Sequence, residues 1–211
     1  MTAVLKFARR RHVPLITANL LLLLVITLVS PLEQTLGWRV RAVYFHGAWV
    51  WTGLAAYGLA ALAGLAAFVW AKRRAFWADV SLALGRAGLF FWLTYLPMSL
   101  WVQQINWGGI YWDEPRWKAA LAFGVASILI QIALVLFDFP LITSSANLVF
   151  GGALFGTLAN IQNVMHPESP IFSSGSTLIK VFFLALLILS LLFLGQLGLA
   201  FYRPRQTQSR K

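Results

Sequence analysis

Apolar positions gather into six long stretches along the chain, near Val13–Ser30, Gly47–Ala71, Ser81–Val102, Ala119–Phe137, Leu141–Ile161 and Thr177–Phe201. Crossing the hydrocarbon of a bilayer takes about 20 mostly apolar residues in a helix. The pattern therefore predicts an all-α polytopic membrane protein, a six-helix transmembrane bundle. Nothing of domain size is left between the stretches, so residues 1–211 read as a single membrane domain. Pro31 directly after Ser30, and the absence of an Ala-x-Ala site there, favour a retained first span over a cleaved signal peptide.

Composition agrees with this pattern. The 211 residues are 60% apolar and 11% charged, against about 45–50% and about 25% in ordinary soluble domains. The net charge of +11 would suit a nucleic-acid binder, but its distribution argues against one. If six spans alternate, twelve basic residues fall on one side, from Lys6 and Arg9–Arg11 through Lys72–Arg74 and Arg86 to the tail from Arg203. The other side receives Arg39, Arg41, Arg116, Lys118 and Lys180. That asymmetry is the positive-inside bias, which makes both termini cytoplasmic and turns residues 31–46, 103–118 and 162–176 outward. No nucleic-acid partner is expected; membrane lipid is. There are no cysteines, which excludes disulfides, thiolate metal sites and covalent haem capture through a Cys-x-x-Cys-His motif.

Small residues fill the second stretch, and Gly152-Ala-Leu-Phe-Gly156 lies in the fifth; both are expected to let helix backbones approach closely. Asp138 is expected at a boundary, because a charge at mid-bilayer costs roughly 2.5–3.5 kcal/mol. Arg86, about a turn into the third stretch, is expected to snorkel to the inner interface. The tail from Arg203 to Lys211 reads as polar, basic and mobile.

Candidate chemistry collects on the outward side. His46 closes the first outer loop, His166 lies in the third, and His12 sits among the cytoplasmic arginines. The tryptophans are lopsided: Trp38, Trp49, Trp51, Trp101, Trp107, Trp112 and Trp117 belong to the outer third, against Trp70 and Trp77 inside and Trp92 mid-span. A plain interfacial belt would be roughly symmetric. Flat aromatic walls, two imidazoles and nearby arginines suit haem, whose iron takes axial imidazole nitrogens and whose propionates pair with arginine. Arg39, Arg41 and Arg116 are the outward arginines, with lipid-headgroup anchoring as a rival role. Two histidines with Asp113 or Glu114 could also ligate zinc, although zinc has no need of the aromatic surplus.

These residues resemble the haem-handling membrane proteins of cytochrome c maturation, the CcmC-type six-span haem-delivery family. Arg41-Ala-Val-Tyr-Phe-His46 is similar to the family's Arg-x-x-Tyr-x-His. Trp107-Gly-Gly-Ile-Tyr-Trp-Asp-Glu-Pro-Arg116 resembles its tryptophan-rich WWD loop; without a gap, Tyr111 and Asp113 stand where the family has tryptophan and Glu114 where it has aspartate, and with one residue deleted Trp112-Asp113 falls into register and Glu114 is extra. His166 followed by Phe172-Ser-Ser-Gly-Ser176 resembles the stretch around the second histidine. The resemblance implies that His46 and His166 are axial ligands of a non-covalent b-type haem. It further implies that Trp107, Tyr111 and Trp112 wall the haem, with Arg41 and Arg116 near its propionates. Trp49 and Asp113 complete the candidate set.

Two functions of different class follow. One is haem delivery in cytochrome c assembly at a bacterial-type cytoplasmic membrane, with the haem site facing outward and a haem chaperone or apocytochrome as partner. The alternative is a permanent haem-bearing electron-transfer subunit that works with other membrane subunits of a redox complex. A haem-free polytopic scaffold or transporter is the third. No nucleophile–base arrangement is evident, so bond-making catalysis is not expected.

Overall fold

In the computed structural model, residues 3–162, 164, 171, 172 and 174–205 are described, with side chains from residue 13 onward. The elements are α1 (Ala3–Val29), α2 (Val40–Val69), a single 3₁₀ turn (Ala71–Arg73), α3 (Arg74–Trp107), α4 (Pro115–Leu136), α5 (Pro140–Asn160) and α6 (Thr177–Phe201). Among the described residues there is no strand, only an isolated bridge between Glu33 and Gly37. Five helices, α2 to α6, are long and apolar enough to cross a membrane; the apolar part of α1 is the shorter Val13–Val29. The chain is thus built as a multi-pass helical membrane protein.

The sixth helix follows the apolar pattern to the residue, whereas α2 and α3 outrun theirs. α2 begins seven residues before Gly47, so His46 lies in its second turn rather than closing a loop. α3 extends five residues past Val102 and ends on Gly108, whose φ of 73° supplies the left-handed stop. The link from α3 to α4 shrinks to residues 108–114. There Glu114 caps α4 by accepting a 2.6 Å hydrogen bond from the Trp117 N–H, and Pro115 takes the first helical position.

α2 and α3 form the most extensive pair, α5 packs across both, and α6 closes the remaining side. α1 leans mainly on α6, while α4 packs on α3 and α5 and reaches α2 through a 2.6 Å hydrogen bond between the Ser127 and Tyr57 hydroxyls. Small residues decide the α2–α5 approach, as expected for the second stretch, although α5 contributes Gly151 rather than Gly152 or Gly156. A Cβ on Gly64 would lie 2.6 Å from the Ser144 carbonyl oxygen, and one on Gly151 would lie 2.7 Å from the Ala61 Cβ. Gly152 and Gly156 face open space. Ser81 ties the three central helices: its hydroxyl donates to the Ala60 carbonyl of α2 at 2.8 Å, and it accepts from Asn147 Nδ2 of α5 at 2.9 Å.

Candidate functional site

Where α2 starts and α3 ends, the helices are held apart by large side chains, and a cavity of about 590 Å³ lies between them. α2 contributes His46 and Trp51 to its wall, α3 contributes Trp92, Tyr95, Ser99, Gln103 and Trp107, and α4 contributes Arg116 and Trp117. Phe183 of α6 reaches the wall beside Gly47, where an added Cβ would stand 3.2 Å from its ring. The walls are fixed. Trp92 Nε1 donates to the Ala120 carbonyl at 2.8 Å, and the Trp92 and Tyr95 rings meet edge to face at 5.4 Å. The His46 imidazole lies 5.3 Å from the Tyr95 ring. The size suits a small-molecule site, since such sites span roughly 300–1,000 Å³.

The structure brings His46, Trp107, Glu114 and Arg116 to this cavity and sets Arg41, Trp49, Tyr111, Trp112 and Asp113 apart from its wall. Trp49 turns into the core, donating from Nε1 to Thr94 Oγ1 at 2.8 Å and packing on Phe91 and Phe193. Arg41 braces the preceding segment by donating from Nε to the Ser30 carbonyl at 3.0 Å. Tyr111 meets Trp107 edge-on at 5.9 Å, and Trp112 meets Trp117 at 6.0 Å; both are exposed and buttress the wall from behind. Asp113 points to solvent and pairs with Lys118 at 2.7 Å, a bond that holds its carboxyl below the usual range. Arg39, read as an outward arginine for a propionate or a lipid headgroup, donates from Nη1 to the Ile105 carbonyl at 2.9 Å. There a cation complements the partial negative charge at the end of α3. His166 lies outside the described residues.

Sequence reasoning passed over one face of α3. Trp92, Tyr95, Ser99, Gln103 and Asn106 all line the cavity, and their spacing of three or four residues is that of a single helix face. The signal was present, but it was hidden because Ser99 and Gln103 look unremarkable in an apolar run. Glu114 also lines the cavity. It is buried, its Oε2 caps α4, and its Oε1 has no hydrogen-bond partner. The Gln103 side chain accepts from the Tyr111 N–H at 3.0 Å and so ties the short loop down over α3.

The opposite end of the bundle holds a second polar group that the sequence did not reveal. Asp79, inside α3 and 4% exposed, is paired with Arg205. Arg205 donates from its backbone N–H to Asp79 Oδ2 at 2.9 Å, from Nε to Asp138 Oδ1 at 2.8 Å and from Nη2 to Thr143 Oγ1 at 3.0 Å. The tail is therefore docked as far as Arg205, where the sequence suggested mobility.

A cavity walled by tryptophan and tyrosine, with one imidazole, one guanidinium and a few amides, can hold a flat apolar molecule that carries a metal and anionic edges. Haem meets that description: an imidazole can ligate iron, and Arg116 can pair with a propionate. The Glu114 carboxylate does not oppose this fit, because its charge sits at the N terminus of α4, where it is stabilised. Zinc is less well served. Asp113 faces away, and among the described residues no group of three or more His, Asp or Glu could hold a metal ion. Fold and site together define a multi-pass helical membrane protein with a buried aromatic chamber at one end. Comparison with protein-family models, with curated proteins and with solved structures finds no match.

Proposed function

We propose that the chain holds b-type haem non-covalently in the chamber beside His46, as a haem-delivery protein of cytochrome c assembly. In this reading α1 is a sixth span, both termini are cytoplasmic, and the chamber faces outward across the cytoplasmic membrane. The observation that carries it is the convergence of His46, Trp107 and Arg116 on one aromatic cavity of about 590 Å³. His46 would ligate the iron from the second turn of α2, with His166 as the second histidine ligand. Arg116 holds a propionate, while Trp92, Tyr95 and Trp117 exclude water from the ring faces. Bound haem supplies a one-electron redox centre at that spot; the chain's own groups bind, orient and shield it. The partner that receives the haem is a haem chaperone or apocytochrome.

One feature favours the second reading, a resident electron-transfer subunit among other membrane subunits. The chamber walls are carried mostly by helices, with Leu36, Glu114, Ile171 and Phe172 from connecting segments and Tyr111 and Trp112 outside them, a seat suited to a resident group. The test is the visible spectrum of detergent-purified protein, oxidised and reduced, followed over hours with excess apomyoglobin. A bis-histidine spectrum that drains into apomyoglobin is expected for delivery, and one that persists is expected for a resident cytochrome. His46→Ala should abolish most bound haem. Normal occupancy in that variant overturns both readings.

A further inference from the structure

At the Asp79 end, a smaller cavity of about 310 Å³ is bounded by Arg86 of α3, by Arg203 and Arg205 of the tail, and by the two acids Asp79 and Asp138. Arg205 engages both carboxylates. Among the described residues no ion pair joins Arg86 or Arg203 to an acid, so two guanidiniums remain where three cations face two anions. Arg86 is half-buried, twelve residues into α3 from Arg74, so its partly desolvated charge is costly without an anion beside it. The rest of the wall is apolar. Leu134 is buried beneath the charges, while Val135, 66% exposed, faces outward with Leu136 and Phe137 beside it. The cavity thus has a cationic rim and opens onto a surface fit for acyl chains. The last turns of α4 and α6 flank it, which sets it at a bilayer interface rather than at the midplane.

We infer that this cavity binds the headgroup phosphate of an anionic phospholipid, held by Arg86 and Arg203, with an acyl chain laid along Val135 and its neighbours on α4. Guanidinium forks pair with phosphate oxygens through two parallel hydrogen bonds, and basic pockets between membrane helices are suited to anionic headgroups. Arg205 is already committed, so it screens the two acids from the phosphate while the other two arginines make the contact. The bound lipid then shields Arg86 and covers the exposed end of α4 at Val135, Leu136 and Phe137. This site is independent of what the chamber at the other end holds.

The test uses the full-length protein in mild detergent, with native mass spectrometry and thermal shift as readouts. Phosphatidylglycerol, phosphatidylcholine and inorganic phosphate are added separately. Retention of one phosphatidylglycerol per chain, with a rise in Tm that phosphatidylcholine does not match, is expected. Arg203→Gln, on the exposed tail, should weaken retention about fivefold, as should Arg86→Gln, at about 1 kcal/mol for each arginine. Arg73→Gln, a nearby arginine outside the cavity, should leave retention unchanged. Equal retention of phosphatidylcholine, an equal effect of inorganic phosphate, or unchanged retention in Arg203→Gln would each overturn the assignment.

Discussion

The two ends of the bundle solve the packing of α2, α3 and their neighbours in opposite ways. At the Asp79 end, glycine, alanine and serine bring α2 and α5 into backbone contact, and the charges are closed into one clamp on Arg205. At the His46 end, tryptophan, tyrosine and phenylalanine hold the helices apart and leave room. Where side chains are small, the polar groups between the helices are tied mainly within the chain, as Ser81 and Asn147 are, while Arg86 and Arg203 stay outside the clamp. Where they are large and flat, imidazole, guanidinium and amide side chains share the wall of a cavity. The difference separates polarity used for packing from polarity gathered around an open space.

Breaking the clamp should have the largest effect. Arg205→Ala leaves Asp79 buried without its counter-ion, and losing one partner of a buried pair costs about 3–5 kcal/mol. A fall of that order in unfolding stability, with partial rescue by adding Asp79→Asn, is the expected outcome in denaturant melts. An unchanged midpoint would mean that the pair is solvated. Next, Gly64→Val should push α5 off α2 and cost roughly 1–3 kcal/mol by overpacking, read as a lower Tm. The same kind of enlargement at the open end sharpens the contrast. Val50→Phe projects into the chamber and should stay within about 1.5 kcal/mol of the parent, while haem uptake falls in the spectrum.

The smallest effect belongs to the exposed Asp113–Lys118 pair. Its carboxyl titrates below the ordinary value of 3.8 because of Lys118. Its contribution to stability is therefore present above that value and is lost as pH falls through the lower, folded-state value. Lys118→Ala should raise the Asp113 titration midpoint in an NMR pH series without moving the Tm at neutral pH.

Much of the architecture was legible because membrane insertion depends on composition over about 20 residues, and the last five apolar stretches each match a helix. The start of α2 was not legible. Arg41, Tyr44 and His46 interrupt the apolar pattern there, yet the helix buries Tyr44 in the core and keeps Arg41 and His46 half-buried. His46 and Arg116 were legible as chemistry because imidazole and guanidinium are scarce in such a chain. Trp49 misled because a tryptophan near a histidine in sequence can still turn the other way into the core. The Asp79–Arg205 clamp lay beyond sequence reasoning, since its partners are 126 residues apart and nothing local marks either one.

That separation has a consequence for biosynthesis. α3 can enter the membrane with Asp79 bare, and its counter-ion has not yet been translated. At roughly 5–20 residues per second, the carboxylate waits on the order of ten seconds for Arg205 to emerge. A chain that stalls or breaks before that point carries an unneutralised acid at the root of its longest helix. A chain that has reached Arg205 carries the neutralising partner for that acid within itself.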